Sequence, residues 1–292
     1  MRAADVLKTL AVMVIWGFNF VVIKVALNEF SPLFVTFLRF TLVSVLLVPF
    51  VRMPRGKFGH VFVFSVLLGA IHFPMMFFGL TGVDAATASV AIQLQVPFAA
   101  LLAALVFKDR LGWRRAAGMV VAFAGIVVIA GEPRMSASLG PLLLVIGASF
   151  VFAVANVHVK RMGDIDGFVL NGWMALFTMP QLFVLTLAVE DGHWEQIANA
   201  TWLGWGALIY MAVLVTIVAY GAWYPLLRRY DVNQTMPWTL TVPVFGVASG
   251  VLVLGDPLTP TLVTGGLLTI AGVAIILTGR PRARAAHAGS PV

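Results

Sequence analysis

The chain reads as an all-α integral membrane protein of ten transmembrane helices arranged as a 5+5 inverted-topology repeat, and three observations predict it. First, 61% of its 292 residues are apolar and only 11% are charged, where soluble domains are about one-quarter charged. Second, ten apolar runs of about 20 residues, the length that crosses a bilayer, follow one another with short polar breaks and leave no room for a soluble domain. Third, the cations alternate between loops. With the N-terminus inside, Arg2, Lys8, Arg52, Arg55, Lys57, Lys108, Arg110, Arg114, Arg115, Lys160, Arg161, Arg228, Arg229, Arg280, Arg282 and Arg284 all fall on inner segments. Arg134 alone lies outside, and Lys24 and Arg39 lie within runs. Cytoplasmic loops are enriched in Lys and Arg, so both termini are expected in the cytoplasm, and a missed helix would scramble the pattern. Arg2 and Lys8 ahead of the first run fit an uncleaved anchor.

The helices are expected at roughly 7 to 27, 33 to 51, 60 to 80, 85 to 107, 113 to 131, 139 to 159, 168 to 189, 203 to 226, 234 to 254 and 261 to 279. The first contains Asn19 and Lys24. Lys24 is about 6 Å from the outer end, close enough to snorkel, and Asn19 is about 7 to 8 Å deeper on a face with Trp16 and Ile23. The two point about 140° apart, so Asn19 is the better candidate to line an interior. The second carries Arg39 about 10 Å past Pro32, at the limit of snorkelling, which favours a buried functional cation. The third holds His72 mid-span beside Pro74, either lining or packing.

In the fourth helix, one face runs Gln93, Pro97, Ala100, Ala104; in the ninth, Thr239, Pro243, Gly246, Gly250 occupies the same register. The fifth and tenth present Gly118 and Ala122, Gly265 and Thr269, small-residue pairs that suit scaffold helices or a homodimer through these two helices. Asn156 in the sixth and Gln181 in the seventh can join helices by hydrogen bonds. Trp194, Trp202 and Trp205 flank the outer mouth of the eighth, and Trp223 and Tyr224 its inner end, as interfacial belts do. Trp238, next to Thr239, could stack on a flat solute.

The repeat is visible in the sequence. An offset of 146 brings Val96-Pro97 onto Val242-Pro243, and after one inserted residue Asp109 meets Asp256, Gly118 meets Gly265 and Gly125 meets Gly272. Five spans are an odd number, so the second copy enters from the opposite side, an arrangement typical of transporters. The units are 1–134 and 135–280, with a basic tail at 281–292. Interrupted helices at matching positions point to a transport site, with small-residue packing as the alternative reading of the proline faces.

Composition excludes several classes. There is no cysteine, hence no disulfide, thiol catalysis or thiolate-bound metal, and no cofactor or metal is expected. The net charge of +7 reports topology rather than nucleic-acid binding. Asp5, Asp109, Asp164, Asp166 and Asp231 are placed on the inner side, and Glu29, Asp84, Glu132, Glu190, Asp191, Glu195 and Asp256 on the outer side or its edge. With no carboxylate inside a span, the usual proton relay is missing, and so is the counter-ion a Schiff base on Lys24 would need. A metalloprotease would want His-Glu-x-x-His, which is absent, so enzymatic function is not expected.

The stretches VIWGFNFVVIKVAL, FLRF and VPFAALLAALVFKDRLGWRRAAGMVVAFAGIVVI, with the second-half counterpart of the last, resemble the EamA-type exporters of the drug/metabolite transporter superfamily, nearest to the YddG-like amino-acid exporters. The resemblance covers all ten spans. It departs after the fourth, where Lys108 and Asp109 replace the usual glycine and glutamate; Gly255 and Asp256 in the second half are closer. It implies a ten-helix bundle in the bacterial inner membrane with a central cavity, exporting small metabolites, amino acids commonly among them. Substrate would then be held by Asn19, Lys24, Arg39, His72, Gln93, Asn156, Trp238 and Thr239, with hinges at Pro97 and Pro243. A nucleotide-sugar or drug carrier of the same superfamily is the alternative.

Overall fold

The computed structural model describes residues 1–107, 112–163, 165–230 and 232–278. Lys108, Asp109, Arg110, Asp164, Asp231 and the basic tail therefore lie outside the described residues. Ten helices are long and apolar enough to span: α1 (Ala3–Leu27), α2 (Pro32–Phe50), α3 (Phe58–Gly82), α4 (Ala85–Val106), α5 (Trp113–Ala130), α6 (Leu139–Met162), α7 (Gly167–Val189), α8 (Trp202–Leu226), α9 (Met236–Leu254) and α10 (Pro260–Thr278). No strand occurs among the described residues. The protein is an all-α, multi-pass membrane protein.

Ends agree with expectation to within a few residues, and the largest shifts have physical causes. α1 begins at Ala3 rather than near residue 7, which brings Asp5 inside a helix and corrects the expectation that no carboxylate lies in a span. An acid in the first turn is favoured by the helix dipole. The Asp5 carboxylate also accepts a hydrogen bond from Tyr230 Oη at 2.6 Å and pairs with Arg229 at 3.3 Å, so its place in the helix is satisfied by the segment that follows α8.

Five helices depart from α geometry, α2 in a terminal 3-10 turn at Val48–Phe50 and four others within their length. α3 winds as a π-helix over Ser65–His72 and α8 over Tyr210–Ala219; α4 tightens to a 3-10 turn at Ile92–Leu94, and α9 at Met236–Thr241. The 146-residue offset carries 65–72 onto 211–218 and 92–94 onto 238–240, so these two irregularities of the first half fall within their matches in the second. The 3-10 turns have a direct cause. Pro97 and Pro243 lack an N–H and cannot bond the carbonyls of Gln93 and Thr239 four residues back, and tighter turns recover part of the loss. Val242 N, for example, donates to Thr239 O.

Glycines set the closest approaches. Along the α5–α10 seam a Cβ on Gly118 would lie 2.7 Å from Gly272 O, and one on Gly125 would overlap Gly265 and Thr269. The small-residue faces of these two helices are therefore packed against each other within one chain, and their aliphatic outer faces, with Val120, Val127 and Leu267, are exposed. Gly17 of α1 likewise admits α9, a Cβ there meeting Phe245 Cβ at 2.5 Å and Val242 O at 2.8 Å.

Candidate functional site

Arg39 is the buried cation at the centre of the candidate site. It is 3% exposed on α2. Its Nη2 donates to Thr216 Oγ1 at 3.3 Å, and its guanidinium carbon stands 4.7 Å from the Phe73 ring centre and 5.7 Å from that of Phe40. Thr216 is presented by the π segment of α8, where its hydroxyl donates to Met211 O, five residues back, at 3.0 Å. Arg39 Nε and Nη1 have no hydrogen-bond partner, and no carboxylate among the described residues pairs with it. Cation–π contact with two rings offsets part of the desolvation cost, and the remaining donors are left for something with oxygens.

Around it α8 supplies an aromatic wall. Tyr220, one turn from Thr216, lies 5.2 Å from Trp16 of α1 and stacks at 5.5 Å on Tyr224; Trp223 meets Trp16 edge-on at 5.6 Å. Tyr224 Oη accepts from Asn171 Nδ2 of α7 at 3.0 Å. Trp223 is 4% exposed, so it is turned inward onto the Trp16 ring rather than to the membrane surface as expected, while Tyr224 is half-buried. Trp16 Nε1 and Asn19 Oδ1, three residues apart on α1, are buried without partners, and that spacing puts them on one face.

The other flank is formed by α4 and α9. Gly17 seats α1 on α9, and Gly246 seats α9 against Ser89 of α4. Gln93, one turn below Ser89, is 3% exposed and its Nε2 has no partner. Trp238 and Thr239 are half-buried, and Thr239 Oγ1 donates to Met236 O at 2.7 Å. Pro97 and Pro243 are buried.

Of the sequence candidates, Asn19, Gln93, Trp238 and Thr239 thus sit on three mutually packed helices, with Arg39 on the α2–α8 flank of α1. Three others stand apart. Lys24 Nζ donates to Leu80 O at 2.8 Å and Val83 O at 3.2 Å, closing the end of α3. His72 Nδ1 is 2.8 Å from Ala148 O and joins α3 to α6. Asn156 is exposed. Sequence reasoning missed Thr216, Tyr220 and Asn171; the one available signal was that Thr216, Tyr220 and Tyr224 recur at helical spacing through an apolar run. Among the described residues no group of three His, Asp or Glu could hold a metal.

Among the partnerless buried atoms are donors at Arg39, Trp16 and Gln93 and an acceptor at Asn19, and Trp16 and Tyr220 present aromatic faces to each other. Buried polar groups without partners cost about 1 to 3 kcal/mol each, and native proteins keep such clusters where a ligand or water answers them.

Comparison with known proteins agrees with a carrier. The model of the EamA-like transporter family matches twice, over residues 5–131 and 139–278. The chain belongs to the EamA-like transporter family. A relative in Escherichia coli K12, named a probable amino-acid metabolite efflux pump, is 31% identical over 302 residues, covering 99% of this chain and 100% of its own. A probable terminal-alkyne amino-acid exporter of Streptantibioticus cattleyicolor is 26% identical, covering 95% and 94%. A solved structure at 18% identity superposes with a TM-score of 0.62 over 94% of this chain and 96% of that one, a likeness of fold. This EamA-family chain is a membrane transporter, not an enzyme, and acts on a small-molecule substrate within a lipid bilayer.

Proposed function

We propose that the protein exports amino acids, neutral or aromatic, across the bacterial inner membrane by alternating access, with both termini in the cytoplasm. The single observation carrying this reading is Arg39: a buried guanidinium with Nε and Nη1 unanswered and no acidic partner among the described residues. A buried charge that is left alone is expensive, and a carboxylate is the group whose two oxygens match guanidinium geometry. Asn19 Oδ1 suits an ammonium, Gln93 and Thr239 add hydrogen bonds, and Trp16, Tyr220 and Trp238 suit an apolar or aromatic side chain. Two relatives carry names that specify amino acids.

The units 1–134 and 135–280 are the two halves, inserted with opposite topology. The double family match and the recurrence of π and 3-10 segments at the 146-residue offset support that division. Rocking about Pro97 and Pro243 opens each side in turn. The buried acid within a span, Asp5, is already paired at one end of α1, so flux runs down the substrate gradient without obligatory proton coupling.

The test is a thermal-shift screen of amino acids, with matching amines that lack the carboxylate, on wild type, Arg39→Ala and Gln93→Ala. Wild type should be stabilised by aromatic or neutral amino acids and not by the amines. The shift should vanish in Arg39→Ala and shrink in Gln93→Ala. A shift that survives both substitutions rejects the site, and proteoliposome flux that stops without a pH gradient rejects the uncoupled mechanism.

A further inference from the structure

At the membrane face bearing Glu29, four carboxylates each reach across from one half to the start of a helix in the other. Glu29 accepts from Thr201 N at 2.7 Å, at the start of α8. Glu190, at the end of α7, accepts from Leu33 N at 2.8 Å and Phe34 N at 2.9 Å, opening α2. Glu132, after α5, accepts from Thr259 Oγ1 at 3.0 Å beside α10. Asp256, after α9, accepts from Ala86 N at 2.9 Å, opening α4. Each places negative charge on a helix N-terminus, where free N–H groups and the dipole favour it.

The four do not hold equivalent joints. Glu190 closes α2 on α7 and Glu132 closes α5 on α10, pairs that pack along their length; α5, α7 and α10 carry no π or 3-10 segment, and α2 carries one only in its last turn, Val48–Phe50, at the end away from Glu190. Asp256 joins α9 to α4, both of which carry 3-10 turns. It follows a second loosened stretch of α9, the π-wound Gly250–Leu254, and the left-handed Gly255 at φ +71°. Asp84, at the N-cap position of α4, makes no side-chain capping bond itself, so α4 takes its cap from the opposite half. Gly250 makes the room: a Cβ there would lie 2.5 Å from Asp256 Oδ2 and 3.0 Å from Ala86 N.

We infer that Asp256 is the gating residue of this face: its bond to Ala86 N latches the irregular end of α9 onto α4 and is broken each time the path opens there, while Glu132 and Glu190 stay bonded in the scaffold. This rests on the two-sided-access reading but not on the amino-acid assignment.

The chain contains no cysteine, so a reporter can be added directly to it. Ser89→Cys sits one turn below the latch, fully buried against Gly246. It would be labelled with a membrane-impermeant maleimide in right-side-out and, separately, inside-out vesicles, with thermal midpoints measured in parallel. Labelling from the Asp256 face should be slow alone and about fivefold faster with Asp256→Ala, the effect expected for one lost cap. Gly250→Ala, which keeps the acid but displaces it, should do the same and carries the decision if Asp256→Ala does not fold. Glu132→Gln and Glu190→Gln should leave the rate unchanged. An unchanged rate in the folded Asp256 and Gly250 variants overturns the gate, as does equal acceleration by either scaffold variant. No substrate is needed, so a failed gate is seen in labelling and a failed amino-acid assignment in the thermal-shift screen.

Discussion

Arg39 and Thr216 meet at 3.3 Å across the α2–α8 contact, and that one bond is the protein's only hydrogen-bonded answer to the guanidinium among the described residues. An unpaired buried cation weakens the ligand-free fold while equipping it to bind. Replacing it by an apolar side chain of similar length should therefore separate stability from function. Arg39→Met is expected to keep or raise the ligand-free melting temperature, by up to about 1 to 3 kcal/mol of stability, while abolishing ligand-induced stabilisation. Differential scanning fluorimetry with and without amino acid reads both, and a large fall in the ligand-free midpoint would show that Arg39 is a structural group.

Lys24 gives the opposite expectation. Its two bonds to Leu80 O and Val83 O answer carbonyls at the end of α3, as cations near helix C-termini do. Lys24→Met should lower the melting temperature by the equivalent of about 1 to 2 kcal/mol and leave ligand affinity within twofold. A loss of binding with unchanged stability would return Lys24 to the substrate site.

The difference between these two lysine and arginine positions shows what the sequence could carry. Span number and ends follow from apolar run length and were legible to within a few residues, because the bilayer fixes both. Helical periodicity also set Asn19 and Lys24 about 140° apart on the first helix. Which partner a polar residue finds depends on its neighbours in space, and there periodicity is silent: Lys24 met carbonyls 56 and 59 residues away, and His72 met Ala148 O. Trp223 and Asp5 were misplaced for the same reason. Position near a span end suggested an interface, but an edge contact with Trp16 and a bond from Tyr230 hold them inside.

The Asp5–Tyr230 bond ties the start of α1 to the segment between α8 and α9, beside a cavity of about 460 Å³ lined by Met1, Arg2, Arg229 and Tyr230. Tyr230 Oη also accepts from Arg2 N at 3.1 Å, so one phenol bridges two groups of the first turn. Tyr230→Phe should loosen that turn selectively. Amide hydrogen exchange is expected to speed up over residues 2–9 and stay unchanged in α5 and α10; uniform acceleration through the chain would mean that the contact supports the whole fold.

The α5–α10 seam offers the sharpest test of where the small residues act. Gly125 faces Gly265 and Thr269 so closely that any side chain on it must push the two helices apart, and overpacking of this kind costs about 1 to 3 kcal/mol or more. Gly125→Leu should therefore lower the thermal midpoint of the protein at every concentration, because the seam lies within one chain. Were the glycines instead the joint between two copies, the same substitution would spare the monomer's midpoint and change only the mass measured by light scattering in detergent. Val127→Ser, two residues on and exposed at 69%, supplies the converse: it leaves the midpoint within about 0.5 kcal/mol, and a change in mass with this variant alone would place a second copy on the outer aliphatic face.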